Sequence, residues 1–351
     1  MMVLTETPRR LFFLGGGLLV SVMLAGVLVG PAAISWVDLF KAFMHPFWSL
    51  SPGEMAGAGQ PAWQSVVIWQ VRLPRVLTGA MVGAALAVSG AVLQGLFRNP
   101  LASPSVLGVA SGASLGAVLA IFFGLAASQI WALPLFAFIG ALLTLFLVYG
   151  IATHGGHTPV ATLLLAGIAA GAFNVAMSSF VLAVALENWE VGKSIVYWTM
   201  GGLEGRTWDH VLLIAPFLTL GLALVMAYPR DLDALLLGEI QAASVGVDVV
   251  RTRLVLLVLT ALLTAAAVAV AGGIGFIGLV VPHIVRLLTG PHHRWLLPLS
   301  ALTGALVLVA ADLALRLLFA ANEIPLGVVT AAMGAPFFLF LLLRQRGLMS
   351  L

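Results

Sequence analysis

The sequence predicts an all-α polytopic membrane protein with about ten transmembrane helices, on three observations. Hydrophobic residues make up 62% of the 351 and charged residues 8%, where soluble domains run at roughly 45–50% and about 25%. The apolar residues gather in runs near the roughly 20 residues that a membrane span needs, and the mean hydropathy of the whole chain is +1.14. Backbone inside lipid must satisfy its own hydrogen bonds, so long apolar runs without strand alternation imply helices. The chain has no cysteine, which excludes disulfides, thiolate metal sites and cysteine catalysis.

Arg9 and Arg10 precede an apolar run from Leu11 to Gly30. It is longer than the apolar core of a signal peptide and no cleavage site follows, so it reads as the first span. Residues 31–70 are mixed, and Trp36, Trp48, Trp63 and Trp69 suit a belt at the membrane interface. Arg72-Leu-Pro-Arg75 opens a second span over 76–97, which closes at Arg98-Asn99-Pro100. The third, 105–126, carries Gly108, Gly112 and Gly116 at four-residue spacing, a ridge that lets another helix approach closely. The fourth, 130–150, ends at His154-Gly-Gly-His157, and the fifth covers 160–186. A wet segment with Glu187, Glu190, Lys193, Glu204, Arg206 and Asp209 follows, then a sixth span over 210–228. The last four cover 254–273, 275–289, 296–316 and 325–343, with Arg344 and Arg346 in the tail.

Between the sixth and seventh spans lies a stretch, 229–253, that holds seven of the 29 charged side chains. It must sit in water while its neighbours do not. Leu235, Leu236, Leu237 and Ile240 suit a short helix with one apolar face, and Gly238 and Gly246 allow bends. It reads either as an interfacial helix on lipid or as a platform for a soluble partner. Ten spans put both termini on one side. With the termini inside, the inner segments hold ten Lys and Arg against six outside, so the positive-inside rule makes the termini and the platform cytoplasmic.

Ion-coupled carriers keep ionisable groups deep in their spans, and the centres of these spans have no Asp, Glu, Lys or Arg. His283, Arg286, Asp312 and Arg316 lie nearer the ends, and the four-residue step from Asp312 to Arg316 suits an ion pair within one helix. Gly192-Lys193-Ser194 resembles the tail of a phosphate-binding loop, but the required earlier glycine is Glu187. ATP therefore belongs to another subunit if it drives this protein. The pairs His154/His157 and His292/His293 have no further ligand at metal spacing and read as solvated loop residues. No set of residues supports catalysis or a nucleic-acid surface.

Three blocks carry a resemblance over residues 66–343: Arg72-Leu-Pro-Arg75 through Gln94-Gly-Leu-Phe-Arg-Asn-Pro-Leu101 to Gly108; Leu237-Gly-Glu-Ile240 with Ala242 and Gly246; and Gly275 to His283 with Glu323-Ile-Pro-Leu-Gly327 and Gly334-Ala-Pro336. Tyr197-Trp198 and Met200-Gly-Gly202 match as well. The sequence resembles the FecCD family, permease subunits of type II ABC importers for vitamin B12, haem and ferric siderophores. The resemblance implies a single permease domain over 1–351, a homodimer with a central translocation pathway, and a multi-pass protein of the bacterial inner membrane. Two ATPase subunits, which hold ATP and Mg, would bind beneath it, and a periplasmic binding protein would deliver the substrate. The chain itself would bind no cofactor or metal.

By the same resemblance, Leu237, Gly238, Glu239, Gln241 and Ala242 couple to the ATPase, and Arg72, Arg75 and Arg316 meet glutamates on the binding protein. Asn99, Pro100 and Leu101 correspond to a cytoplasmic constriction, with Val160 and Ala161 as its companion. Vitamin B12-importing members have a small polar cluster at that second position; here it reads Pro159-Val160-Ala161-Thr162. The apolar gate, and a likeness to haem-uptake members, set the expected substrate as haem, with vitamin B12 or a ferric siderophore as the alternative.

Overall fold

The computed structural model describes residues 8–30, 32, 34–44, 63–129, 131–153, 158–319 and 324–349. Fifteen helices and no strand occur among the described residues. Seven are long and apolar enough to cross a membrane: α1 (Pro8–Leu28), α3 (Trp63–Leu96), α6 (Ala132–Ala152), α7 (Val160–Ala185), α9 (Trp208–Val225), α12 (Val249–Ala271) and α14 (His293–Leu318). Where the sequence predicts the other three spans stand α4 (Val109–Phe122), α13 (Ile277–Thr289) and α15 (Leu326–Met349). The remaining helices are α2 (Trp36–Met44), α5 (Leu125–Ser128), α8 (Trp189–Met200), α10 (Pro229–Leu237) and α11 (Glu239–Ser244).

The second span differs most from expectation. Its helix begins at Trp63 and runs unbroken through Arg72-Leu-Pro-Arg75, with a π-helical stretch over Val67–Arg72 just before Pro74. The wider turn absorbs a proline that has no N–H to give. This helix is the axis of the fold, and most of it is buried against α14, α12, α13 and α9. Between lipid-solvated helices small residues gain most by close contact. A Cβ on Gly83 would lie 2.7 Å from the carbonyl carbon of Gly304 in α14, and one on Gly90 would lie 2.8 Å from Cα of Gly278 in α13.

Gly112 of α4 lies against Gly140 and Thr144 of α6, and Gly116 against the backbone at Phe136. Gly108, the residue before α4, faces Gly167 of α7. By contrast α1 and α7 leave most of their apolar surface outside. Trp36 and Trp63 are exposed, but Trp69 is buried, its indole donating to the Ala42 carbonyl at 2.9 Å and stacked on Trp208. Trp69 is thus a packing residue rather than part of an interface belt. Trp48, His154 and His157 lie outside the described residues. Lys193 and its neighbours sit inside α8, with no loop there to cradle a phosphate.

Candidate functional site

The 229–253 stretch folds as two short helices, α10 and α11, ahead of α12. Pro229 opens α10, where a missing N–H costs nothing. Leu232 and Leu235 turn inward. Gly238 has φ 126° and ψ 159°, a conformation closed to residues with a Cβ, and it breaks the chain sharply between the two helices. Ala242 is buried beneath α11, while Leu237 is 73% and Ile240 83% exposed. With Val245, 71% exposed, they make an apolar contact patch on a stretch that also carries charged side chains.

Three links tie this platform to the spans. The Asp233 carboxylate accepts from the backbone N–H of His293 at 2.9 Å and from its Nδ1 at 2.7 Å, with His292 3.6 Å away. Burial pushes the Asp233 carboxyl up, but the hydrogen bonds from the His293 ring and backbone outweigh it and hold the group below its usual range. The Glu239 carboxylate pairs with Arg253 of α12, and that arginine also donates to the Thr158 carbonyl at 3.5 Å. Finally, Asp248 caps α12 by accepting from the Arg251 N–H at 3.0 Å.

His293 departs from the solvated loop residue that the sequence predicts. It has no exposed surface, whereas His292 is 79% exposed. Its ring fits only because residue 95 of α3 is glycine: a Cβ there would meet Cε1 at 2.8 Å. Arg253 is equally buried at 5%. Both were hidden in the sequence because their partners, Asp233 and Glu239, are 60 and 14 residues away.

The expected gate segments flank the platform. Asn99 turns the chain after α3 by accepting from the Leu101 N–H at 2.9 Å, and Leu101 is exposed. The Arg98 guanidinium approaches Gly238. Val160 opens α7 two residues after Thr158, the residue held by Arg253, and Ala161 is exposed beside it.

At the opposite end of α14 the arginines gather. Arg72 is 4% exposed and donates to the carbonyls of Val27 at 2.8 Å, Leu28 at 2.6 Å and Ala32. Arg316 donates to Gly26 at 2.9 Å and Val29 at 3.3 Å. Together they satisfy the free carbonyls at the C-terminus of α1, where positive charge is also favoured. Asp312, 2% exposed, sits between Arg75 at 2.7 Å and Arg316 at 3.1 Å. Arg75 faces Glu204 at 3.9 Å as well. These groups and Arg206 border a cavity of about 570 Å³ with Tyr197 and Trp198 on its wall. Burial, with Arg75 adding and Glu204 opposing, pushes the Arg206 pKa down to about 10, so it stays cationic at neutral pH. Arg72 is spent on α1, so Arg75, Arg206 and Arg316 are the arginines that face this space.

Within the spans, the Asn174 amide in the middle of α7 donates to Thr144 at 3.0 Å and to Ser111 at 3.3 Å, joining α7, α6 and α4. Gln94 of α3 donates to the Leu279 carbonyl of α13 at 3.0 Å. No ion pair lies at mid-span among the described residues. The arrangement is two polar ends joined by packed apolar helices.

The FecCD transport family profile matches residues 18–344. The chain belongs to the FecCD transport family. It is 50% identical over 284 residues to the cobalamin import system permease protein BtuC of Halobacterium salinarum, covering 81% of this chain and 75% of the relative. Identity to the Fe(3+) dicitrate transport system permease protein FecD of Escherichia coli is 44% over 280 residues, covering 80% and 86%. A solved structure of a metal-chelate type ABC transporter, in an inward-facing conformation, superposes with a TM-score of 0.82 at 32% identity, covering 96% of this chain and 99% of that one. This FecCD chain is therefore a multi-pass permease subunit of an ABC importer, not an enzyme, and ATP hydrolysis belongs to a separate subunit.

Proposed function

We propose that this FecCD permease carries cobalamin or a ferric carboxylate or siderophore chelate into the cytoplasm, working as a homodimer with two ATPase subunits and a soluble binding protein. Haem, the substrate expected from the apolar Val160-Ala161 segment, gains no support: relatives at 42–50% identity are named for cobalamin and ferric citrate. The observation that carries the reading is the platform. Leu237 and Ile240 stand exposed at its tip, while its buried side is pinned to α14 through His293 and to α12 through Arg253. A partner that grips the tip moves helices that reach the far side of the protein.

The excess of basic residues on the platform side supports its placement in the cytoplasm, with both termini there. The cavity beside Arg75, Arg206 and Arg316 then faces the binding protein, and exposed Glu204 adds a negative charge to that surface. Rim charges of this kind steer encounter more than they hold the complex. In this reading Asn99, Pro100, Leu101, Val160 and Ala161 close the inner mouth, next to the platform that would open it.

The test is co-purification and uptake. Ile240→Asp places a charge in the patch without touching the buried links. It should abolish co-purification of the ATPase and ATP-driven uptake while leaving the permease folded in the membrane. Uptake of labelled cobalamin and ferric citrate, with haem as comparison, by the reconstituted complex names the substrate. Uptake that follows an ion gradient without ATP would instead identify a secondary carrier.

A further inference from the structure

On the outside of the bundle α1 leans on α14, and Gly15 makes the approach close: any Cβ there would run into Leu302. Beside this contact lies a groove of about 220 Å³. Leu11, Leu14 and Leu18 of α1, Val285 and Leu288 of α13, and Leu302 of α14 line it, and its only hydroxyls belong to Thr289 and Thr303. The Thr289 hydroxyl is spent on the Val285 carbonyl at 2.9 Å. The walls are thus apolar, and Leu14 and Leu18 stand more than half exposed at the opening.

The groove belongs to one leaflet. Leu11 to Leu18 cover about 11 Å of helix axis, less than half of a hydrocarbon core of about 30 Å. It is the leaflet on the platform side. Gly15 meets Leu302 and Gly26 meets Val309, so α1 and α14 run parallel, and α14 begins at His293, which Asp233 ties to the platform.

Charge at this end has one sign. Arg9 and Arg10 are exposed in the first turn of α1, and Arg10 stands one turn before Leu14 on the face that lines the groove. Exposed Arg294 opens α14, and Arg286 lies in α13. No acidic residue occurs in α1, in α13, or in α14 before Asp312 at the far end, and Asp233 is taken up by His293. Trp295, one turn before Leu299, shares the groove face of α14 by register, a residue type that settles at headgroup level.

We infer that this groove holds one anionic phospholipid of the platform-side leaflet. An acyl chain lies along Leu11, Leu14 and Leu18, and the headgroup phosphate meets Arg10, with Arg9 and Arg294 adding to the positive field. Basic pockets between spans recognise anionic headgroups in this way. A second copy docked here by two-fold symmetry would instead bring like charges onto one face.

The test is binding of radiolabelled phosphatidylglycerol to the full chain in micelles of excess phosphatidylcholine. One saturable site per chain is expected, displaced by unlabelled phosphatidylglycerol but not by more phosphatidylcholine or by inorganic phosphate. Arg9→Gln with Arg10→Gln should weaken binding about thirtyfold. Thr303→Phe, which fills the groove from a half-buried position, should weaken it with every arginine in place. Arg251→Gln, at an exposed residue of α12 outside the groove, should leave it unchanged. Equal displacement by phosphatidylcholine, displacement by inorganic phosphate, or full binding by either groove variant overturns the site. So does a disulfide between two Leu14→Cys chains, which would put a second copy there; the natural chain has no cysteine to confuse the result.

Discussion

Asp233 and His293 are joined twice, through the backbone N–H at 2.9 Å and the imidazole at 2.7 Å. The pair fixes the platform to the first turn of α14, a helix of 26 residues and about 39 Å. Nineteen and 23 residues after His293 the same helix carries Asp312 and Arg316 in the cluster with Arg75. One helix therefore has its foot on the 229–253 platform and its head among the arginines.

Asp233→Ala removes both acceptors and leaves the buried imidazole and the first N–H of α14 unpaired. A loss of about 1–3 kcal/mol is expected from the orphaned groups, read as a lower melting temperature of the purified chain. Transport should fall further than stability does, because the platform is no longer held to α14. Asp233→Asn, which keeps a backbone acceptor, should lie between. An equal melting temperature for all three proteins would show that the pair holds nothing.

The pH dependence follows from the same carboxyl. Its folded pKa lies below its ordinary value, so its contribution is fully present above about pH 4 and is lost as pH falls through the lower folded value. The stability gap between the wild type and Asp233→Asn should close as the pH falls below about 4 and the Asp233 carboxylate takes up a proton. Thermal melts across a pH series check this.

Arg253 touches both Glu239 of α11 and Thr158 ahead of α7. Arg253→Met fills the same volume without the guanidinium. It should preserve ATPase binding, because the exposed tip is untouched, yet uncouple hydrolysis from uptake. The measurement is uptake per ATP hydrolysed in proteoliposomes. A normal ratio would detach the inner mouth from the platform.

Asp312, itself only 2% exposed, pairs with two arginines. Asp312→Ala should cost about 3–5 kcal/mol, as when one partner of a buried pair is removed, and should lower the yield of folded protein. Adding Arg316→Met should recover part of that loss, though not all, because Arg316 also caps α1. A thermal-stability double-mutant cycle separates the two effects.

Packing offers a further check. Gly90→Val sets a branched side chain against the Gly278 backbone, which cannot move aside as a flexible side chain would. It should prevent α13 from docking and cost more than the roughly 1–3 kcal/mol of ordinary overpacking. Gly17→Ala, with open space around it, should be neutral. Expression and melting of the two variants provide the comparison.

Much of this protein could be read from the residues alone. Hydropathy placed the spans, because a segment either tolerates lipid or does not, and the charge of 229–253 marked the platform for the same reason. The Asp312–Arg316 pair followed from a four-residue step on one helix. The Leu-Gly-Glu and Arg-Asn-Pro motifs carried the resemblance to the FecCD family, which the comparisons showed. Hydropathy could not separate α1, open to lipid, from α3, buried in protein, since both surroundings are equally apolar. It also could not show that the helices at the third and eighth spans, α4 and α13, are only 14 and 13 residues long, or that Trp69 and His293 are buried. Those facts were decided by tertiary structure alone. Arg72 and Arg316 meet their carbonyls across 40 to 290 residues, and a polar group in an apolar bundle takes its role from whichever partner the fold brings within hydrogen-bonding distance.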